Sequence, residues 1–425
     1  MDSYNERVMS KDTAKTNQHN NVTHSNIHHK YIFESDGRKN IRFFTNNICI
    51  EQVTNFNEYK IFYHVPFQIY KDDPYWVSPF WRESKDFFKQ RNPFWSHAEC
   101  VLFIARKNNN VVGRIAAIID HSYCEIVGKK IGYFGFFECI DDFDCASALW
   151  HTAEGYLGSK GMTIMRGPVD GRIDVGCGFL YSGFHLRPSL LSSYTPPYYI
   201  PLAEKFGMNK ARDLLLYYID LTKPIPDLLK EKADQCAALG VTVRPFHRLH
   251  TRKELKWWVP MFLETFSDHW GYVPVSPQEV KTRFGVKQLR WIVDPRLFVI
   301  AESKGEPIAY LWATPDFNQL FQKMNGRLGP MQYLRFFVMK RGINVGKLHF
   351  IGIKKEFRHH HVASYLNYEV LAEMKHRGYI GAEIGWIDEM NAHAQKTIAI
   401  TGATLYKKYR VFEKPLEPSD QSTLA

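Results

Sequence analysis

Four blocks of this chain recur in the same order, and that repetition constrains the fold more than any other feature. VLFIARKNNNVVGRIAAIID, at 101–120, lies over LFVIAESKGEPIAYLWATPD, at 297–316, without a gap. Each is a pair of β-rich runs around a polar turn, as in a hairpin. CASALWHTAEGYLGSKG (145–161) lies over VASYLNYEVLAEMKHRG (362–378), with Ala-Ser-x-Leu in register and a closing glycine. In the second copy Leu366, Val370, Leu371 and Met374 fall on one helical face, and Gly378 fits a C-cap. MTIMRGPV (162–169) then matches YIGAEIGW (379–386), a strand after the helix. KFGMNKARDLLLYYIDL (205–221) matches ITGATLYKKYRVFEKPL (400–416). The order hairpin, strand, helix, strand, helix, strand predicts two tandem α/β domains, each a mixed central sheet flanked by helices. Their expected spans are 56–221 and 222–416, with the joint at Pro224 and Pro226.

The copies differ in where they carry extra chain. The second has an insertion within LFQKMNGRLGPMQYLRFFVMKRGINVGK (320–347), with Lys323, Arg327, Arg335, Lys340, Arg341 and Lys347 and no acid. The first has GRIDVGCGFLYSGFHLRPSLLSSYT (171–195) after its second strand–helix pair. Aromatic residues crowd 72–95 (Tyr75, Trp76, Phe80, Trp81, Phe87, Phe88, Phe94 and Trp95), which is the density of a core, with some available to line an acyl channel.

No apolar run approaches the roughly 18 residues of a spanning helix. The segment 1–40 is polar, rich in Asn, His, Thr and Ser, and is expected to be disordered and to carry no signal peptide. Seven scattered cysteines form no CxxC pair, which fits a reducing, cytoplasmic setting. A net charge of +11 calls for an acidic partner: nucleic acid, anionic membrane, an acidic carrier protein or a phosphate-rich donor.

The stretch FIGIKKEFRHHHVASYL (350–366) offers two chemistries. Three adjacent histidines point in different directions, and His247 and His250 are spaced i, i+3, so no metal site is expected. A strand, short loop and helix instead form a cradle whose N–H groups and dipole attract phosphate. The first copy places Asp141, Asp142 and Asp144 opposite this loop, which repels an anion. Donor binding is therefore expected in the second domain, with a degenerate loop in the first.

LHFIGIKKEFRHHHVASYL resembles the strand–loop–helix of the GNAT superfamily of N-acyltransferases, whose loop reads R/Q-x-x-G-x-G/A. Arg358 matches its first position and Ala363 its last, while His361 stands where glycine is usual. Both halves together, from about Tyr59 to Pro415, resemble the duplicated bacterial ceramide synthase-like family. The likeness rests on DDPYWVSPF (72–80), NPFWSHAE (92–99), VVGRIAAIID (111–120), GYFGFFEC (132–139), TPPYY (195–199), KARDLLLYY (210–218) and WIDEMN (386–391).

That resemblance implies two GNAT-like domains. It also implies transfer of a long acyl group from acyl-CoA, or acyl carrier protein, to the amine of a sphingoid base, giving a (dihydro)ceramide. The donor would be held by Arg358, His359, His360, His361, Val362 and Ala363, with Asn391 from WIDEMN and an oxyanion contact near Ile353. Attack by an amine needs a base. Glu389 is the candidate, with Asp388 and Glu383 as rivals and Glu138 ending the equivalent strand of the first copy. The acid tyrosine position implied by the family, counted from Asn391, falls on Ile398, so Tyr406 is the candidate acid and Tyr409 its rival. Each of these residues also has a plain structural alternative, an ion pair or a core contact.

The basic, partly apolar insertion at 320–347 suits peripheral attachment to the cytoplasmic face of an anionic membrane. Two other readings stand beside this one. One is an aminoacyl-tRNA-dependent peptidyltransferase, which would bind nucleic acid where the favoured reading needs none. The other is a non-catalytic acyl-thioester-binding protein.

Overall fold

The computed structural model describes residues 31–33, 41–44, 46–267, 269–273, 275–283, 286, 293–327, 329, 336 and 338–417. The segment 1–40, expected to be disordered, lies outside the described residues except 31–33, where the Phe33 ring stacks 4.7 Å from Tyr59. Arg335, Leu334 and Phe337 of the insertion also lie outside.

The first half runs β1 (Ile41–Phe44), β2 (Ile48–Gln52), α1 (Phe56–Ile69), α2 (Trp81–Phe87), β3 (Ala98–Lys107), β4 (Asn110–Asp120) and α3 (His121–Val127). It continues through β5 (Ile131–Cys139), α4 (Phe143–Ser159), β6 (Ile164–Gly167), β7 (Phe179–Ser182), α5 (Tyr199–Lys205) and β8 (Asn209–Asp220). The second half runs α6 (Asp227–Ala238), β9 (Val241–Pro245), α7 (Thr251–Phe266), α8 (Pro277–Arg283), β10 (Phe298–Ser303), β11 (Glu306–Pro315) and α9 (Asn318–Met324). It closes with β12 (Val345–Ile353), α10 (Val362–His376), β13 (Gly381–Asp388), α11 (Ala392–Ile400) and β14 (Thr404–Pro415). The four repeated blocks thus land on like elements: hairpins β3–β4 and β10–β11, helices α4 and α10, strands β6 and β13, and strands β8 and β14.

The two expected sheets are fused into one of 14 strands, ordered β1-β2-β3-β4-β5-β6-β14-β8-β13-β12-β11-β10-β9, with β7 paired to β14 off this path. The fusion arises by exchange. The last strand of the first half, β8, pairs antiparallel with β13 of the second, from Gly381↔Asp220 to Asp388↔Leu214. The last strand of the second half, β14, pairs antiparallel with β6, through Phe412↔Gly167 to Pro415↔Ile164. The two exchanged strands also pair with each other, from Thr404↔Tyr218 to Glu413↔Asn209. Among the described residues only β5–β6 and β12–β13 are parallel.

Apolar alternation decides what covers each face. On one face α4 packs on Phe103, Ile115, Ala117 and Phe134, and α10 on Val299, Leu311, Leu348 and Ile384. On the other, α1 and the aromatic segment cover Leu102, Ile104 and Ile118, and α7 covers Phe298, Tyr310 and Trp312. Phe80, Phe88 and Phe94 are core residues. The described apolar side chains of the insertion mostly turn inward too. Leu320 and Met324 are buried with Phe80, and Phe321 meets that ring edge-on at 4.8 Å, which leaves Val338 69% exposed.

A charged network pins α8 to the first half. Glu279 accepts from Arg172 Nη1 at 3.0 Å and lies 3.5 Å from His97 Nε2, while His97 Nδ1 is 2.9 Å from Asp120. Hydrogen bonds to Asp120 and then to Glu279 push the His97 pKa up to about 9. A raised pKa stabilises the fold while the group is charged, so this contribution is full below about 6.5 and is lost as the pH rises through about 9. Denaturation midpoints are expected to fall across that window, and His97→Gln should remove the fall along with roughly 2 kcal/mol of stability at neutral pH. The exchange makes a second expectation. A fragment ending at Leu221 lacks β14, leaving β6 and β8 with open edges, and should be insoluble alone but recovered on co-expression with 222–417.

Candidate active site

Strands β12 and β13 run side by side only as far as the pair Leu348↔Ile384. Past it the pairing ends, β12 continuing to Ile353 and β13 to Asp388, and the gap between the two unpaired ends is the candidate cleft. On its other edge β12 is bulged: Phe350 faces Trp312 and Leu348 faces Ala313, which leaves His349 unopposed. A bulge turns backbone groups out of the ladder and re-aims a side chain. His349 follows the last residue paired to β13, with its Nε2 2.8 Å from Thr314 Oγ1. Burial, and then the Lys347 charge, lower its pKa to about 3, so the ring is neutral. Ile353 stands further along, paired with Ala309, its carbonyl accepting from Arg358 Nε at 3.4 Å.

The loop after β12 leads into α10 through His361, whose φ of 58° and ψ of 18° are left-handed. This is the conformation glycine adopts freely, so the chain geometry is kept at a cost that the imidazole bears. Among the described residues no hydrogen bond reaches the N–H groups of Val362, Ala363 and Ser364, and His361 offers no side-chain cap. Arg358, His359 and His360 are exposed beside them. Burial, then Lys232, lowers the His361 pKa. His359 sits 6.5 Å from the His393 ring, and His247 6.1 Å from His250. Among the described residues no group of three or more metal-ligating side chains converges. Asn391 caps α11 by accepting from Ala394 N–H at 3.0 Å.

The first half closes both equivalent positions with its own carboxylates. Asp142 caps α4, accepting from Cys145 N–H at 3.1 Å, and also binds Lys107. Strand β5 bulges like β12, with Phe136 at φ 48°, and the Phe136 N–H donates to Asp170. Burial pushes Asp170 up to about 6.

Beneath the second cleft lies a charge cluster. Glu383, Lys347 and Lys407 are 1%, 2% and 1% exposed. Glu383 binds Lys347 and the Ser189 hydroxyl, and Lys407 Nζ lies 3.5 Å from its other oxygen. Lys407 also donates to the Arg187 carbonyl at 2.6 Å. Burial raises the Glu383 pKa, but the two ammonium groups outweigh it, and the net shift is downward. Asp316, accepting from Leu190 N–H at 2.9 Å, is pushed by burial, then by Glu383, up to about 6. Residues 187–192 are thus a strap from the first half's extra segment, laid over the second half's strands. Sequence reasoning took Lys347 as one of the insertion's cations, although it is buried, and missed Lys407, Asp316, His349 and this strap. The available signal was a charge interrupting each apolar strand run, in VGKLHFIGI, GAEIGWID and TLYKKYRVF.

Glu389 follows β13 directly and accepts from Lys210 Nζ at 2.7 Å and Asp213 N–H at 2.9 Å. Tyr406 is half-buried, skipped in the β14–β8 register, with its ring 5.4 Å from Tyr218 and 4.8 Å from Lys407 Nζ. Tyr409 is buried and donates to the Ser193 carbonyl at 2.8 Å. Glu138 accepts from Tyr70 and Tyr199 at 2.8 and 2.9 Å, lies 3.7 Å from Arg114, and is pushed by burial up to about 7. Strands β6, β14 and β8 stand between its strand and β13, about 19 Å at ordinary strand spacing.

Residues 256–399 match the family described as Acetyltransferase (GNAT) family. Protein YghO of Escherichia coli (strain K12) is 30% identical over 369 residues, covering 85% of this chain and 94% of that protein. Bacterial ceramide synthase of Caulobacter vibrioides (strain NA1000 / CB15N) is 30% identical over 367 residues, covering 84% and 95%. The solved tandem GNAT protein from the clavulanic acid biosynthesis pathway covers 88% of this chain and 100% of its own, with TM-score 0.51 at 12% identity, a likeness of fold.

Removing one member of a buried ion cluster leaves its partners uncompensated. Glu383→Gln is expected to destabilise the protein by about 3 kcal/mol in chemical denaturation. Adding Lys347→Met and Lys407→Met should recover much of that loss.

Proposed function

The chain belongs to the bacterial ceramide synthase-like family of duplicated GNAT-superfamily N-acyltransferases, and we propose that it acylates a sphingoid base. In this reading a long-chain acyl group passes from an acyl thioester, carried by CoA or acyl carrier protein, to the amine, forming a (dihydro)ceramide. The observation that carries it is the asymmetry between the two clefts. In the first half, Asp142 and Asp170 occupy the helix N-terminus and the bulge N–H. In the second, no hydrogen bond among the described residues reaches the N–H groups that begin α10, Arg358 stands beside them, and the bulge carries a neutral imidazole.

The donor's anionic end would lie on Val362, Ala363 and the His359–His361 run with Arg358, as helix-terminal N–H groups favour an anion. Its thioester would thread between β12 and β13. A neutral imidazole donates a hydrogen bond to a developing oxyanion without bringing a charge that must be desolvated. In the tautomer whose Nε2 accepts from Thr314, the His349 Nδ1–H is that donor, together with backbone at the bulge. The amine nitrogen attacks the thioester carbon, the C–N bond forms, and the C–S bond breaks from the tetrahedral intermediate. Glu389, just past the end of β13, takes the amine proton, and Tyr406 returns one to the thiolate. Glu138, with its raised pKa, belongs to the other cleft.

The likeness to the Caulobacter ceramide synthase supports the sphingoid acceptor. Purified protein given labelled acyl-CoA and a long-chain base should yield an N-acylated product by mass spectrometry. A requirement for charged tRNA, or donor bound but unchanged, would overturn the proposal. Arg358→Glu is expected to weaken donor affinity at least tenfold with thermal stability unchanged. His349→Ala should lower kcat on the order of a hundredfold while donor KM moves little.

A further inference from the structure

Residues 247–256 read HRLHTRKELK. They form a tight turn, Arg248–His250, and the start of α7. Leu249 at the turn's tip is 81% exposed. His247, Arg248, His250, Arg252, Lys253 and Lys256 are exposed around it. The one acid of the stretch, Glu254, is buried and turned inward, where it accepts from Arg244 Nη1 at 2.8 Å and Trp257 Nε1 at 2.7 Å. Among the described residues Arg248, Arg252, Lys253 and Lys256 take part in no ion pair.

Two features here are unfavourable for the protein alone. A protruding leucine keeps its apolar surface in water. Cations in the first turn of a helix oppose its dipole, and α7 has no side-chain N-cap, its one first-turn acid being the buried Glu254. A surface that is anionic outside and apolar within removes both costs together. An acidic protein surface or a free phosphate would answer the charges and leave the leucine unexplained.

We propose that the turn Arg248–His250 and the first turns of α7 form a membrane-docking tip. Leu249 enters the acyl boundary of an anionic bilayer, and Arg248, Arg252, Lys253 and Lys256 bind lipid headgroups. The tip is continuous with the candidate cleft. Helix α7 runs 16 residues from it to Phe266, whose ring meets Phe350 of β12 edge-on at 5.6 Å. The inference does not depend on which amine is acylated. It differs from the insertion at 320–347, whose described apolar residues mostly face the core.

Flotation of the full chain with vesicles tests it. The protein should rise with phosphatidylglycerol–phosphatidylcholine vesicles, not with phosphatidylcholine alone, and added salt should weaken binding. Leu249→Glu, and separately Arg252→Glu with Lys253→Glu, should each reduce bound protein at least tenfold, with thermal denaturation unchanged. Glutamates at Lys323, Arg327, Arg335 and Lys340 should leave flotation intact. The proposal is overturned by any of three results: no flotation with anionic vesicles, flotation that survives both tip variants, or flotation lost only with the insertion charges. Capture by an acidic carrier protein without vesicle binding would overturn it equally.

Discussion

The antiparallel ladder between β8 and β14 holds the molecule together. Each strand contributes 12 residues, and each has a partner on both edges. Backbone N–H and C=O groups on such strands must be paired once buried, so neither half can complete its own sheet. Each half is finished by the other's last strand. A hydrophobic interface between two finished domains could slide or rotate; a shared ladder fixes both distance and register. This is why the strap at 187–192 can lie reproducibly over strands of the other half.

Within that frame, the duplicated clefts have diverged by occupation. Both copies keep the bulged strand, the parallel pair, and a helix that follows the loop. The first copy satisfies its own unpaired donors with Asp142 and Asp170. Those carboxylates do for the fold what a bound anion would do, and they exclude one. The second copy leaves the donors unsatisfied by protein, and a helix terminus in that state holds free energy available for binding.

The buried cluster of Glu383, Lys347 and Lys407 belongs to the same logic. Two ammonium groups flank one carboxylate in a site almost closed to water. The attraction is large there because desolvation is large, and the balance tolerates little change. The extra positive charge beside His349 adds to burial in keeping that imidazole neutral.

The sequence by itself determined the duplication, the α/β class, the helix that follows the loop, and the contrast between Asp141 and Arg358 at equivalent positions. These are properties of local periodicity and of charge along the chain, and a repeat carries them twice. His361 was legible as a departure from glycine; its left-handed backbone explains why glycine is expected there. The strand exchange was not legible, because β8 and β14 have the same alternation whichever sheet they join. Glu389 and Tyr406 were readable as candidates, but not their surroundings, since Lys210, Asp213 and Tyr218 come from the exchanged strand. Lys347, Glu383, Lys407 and Ser189 are separated by up to 218 positions between Ser189 and Lys407 (407 minus 189). Only the tertiary structure brings such residues together, because pairing across a sheet depends on register and not on distance along the chain.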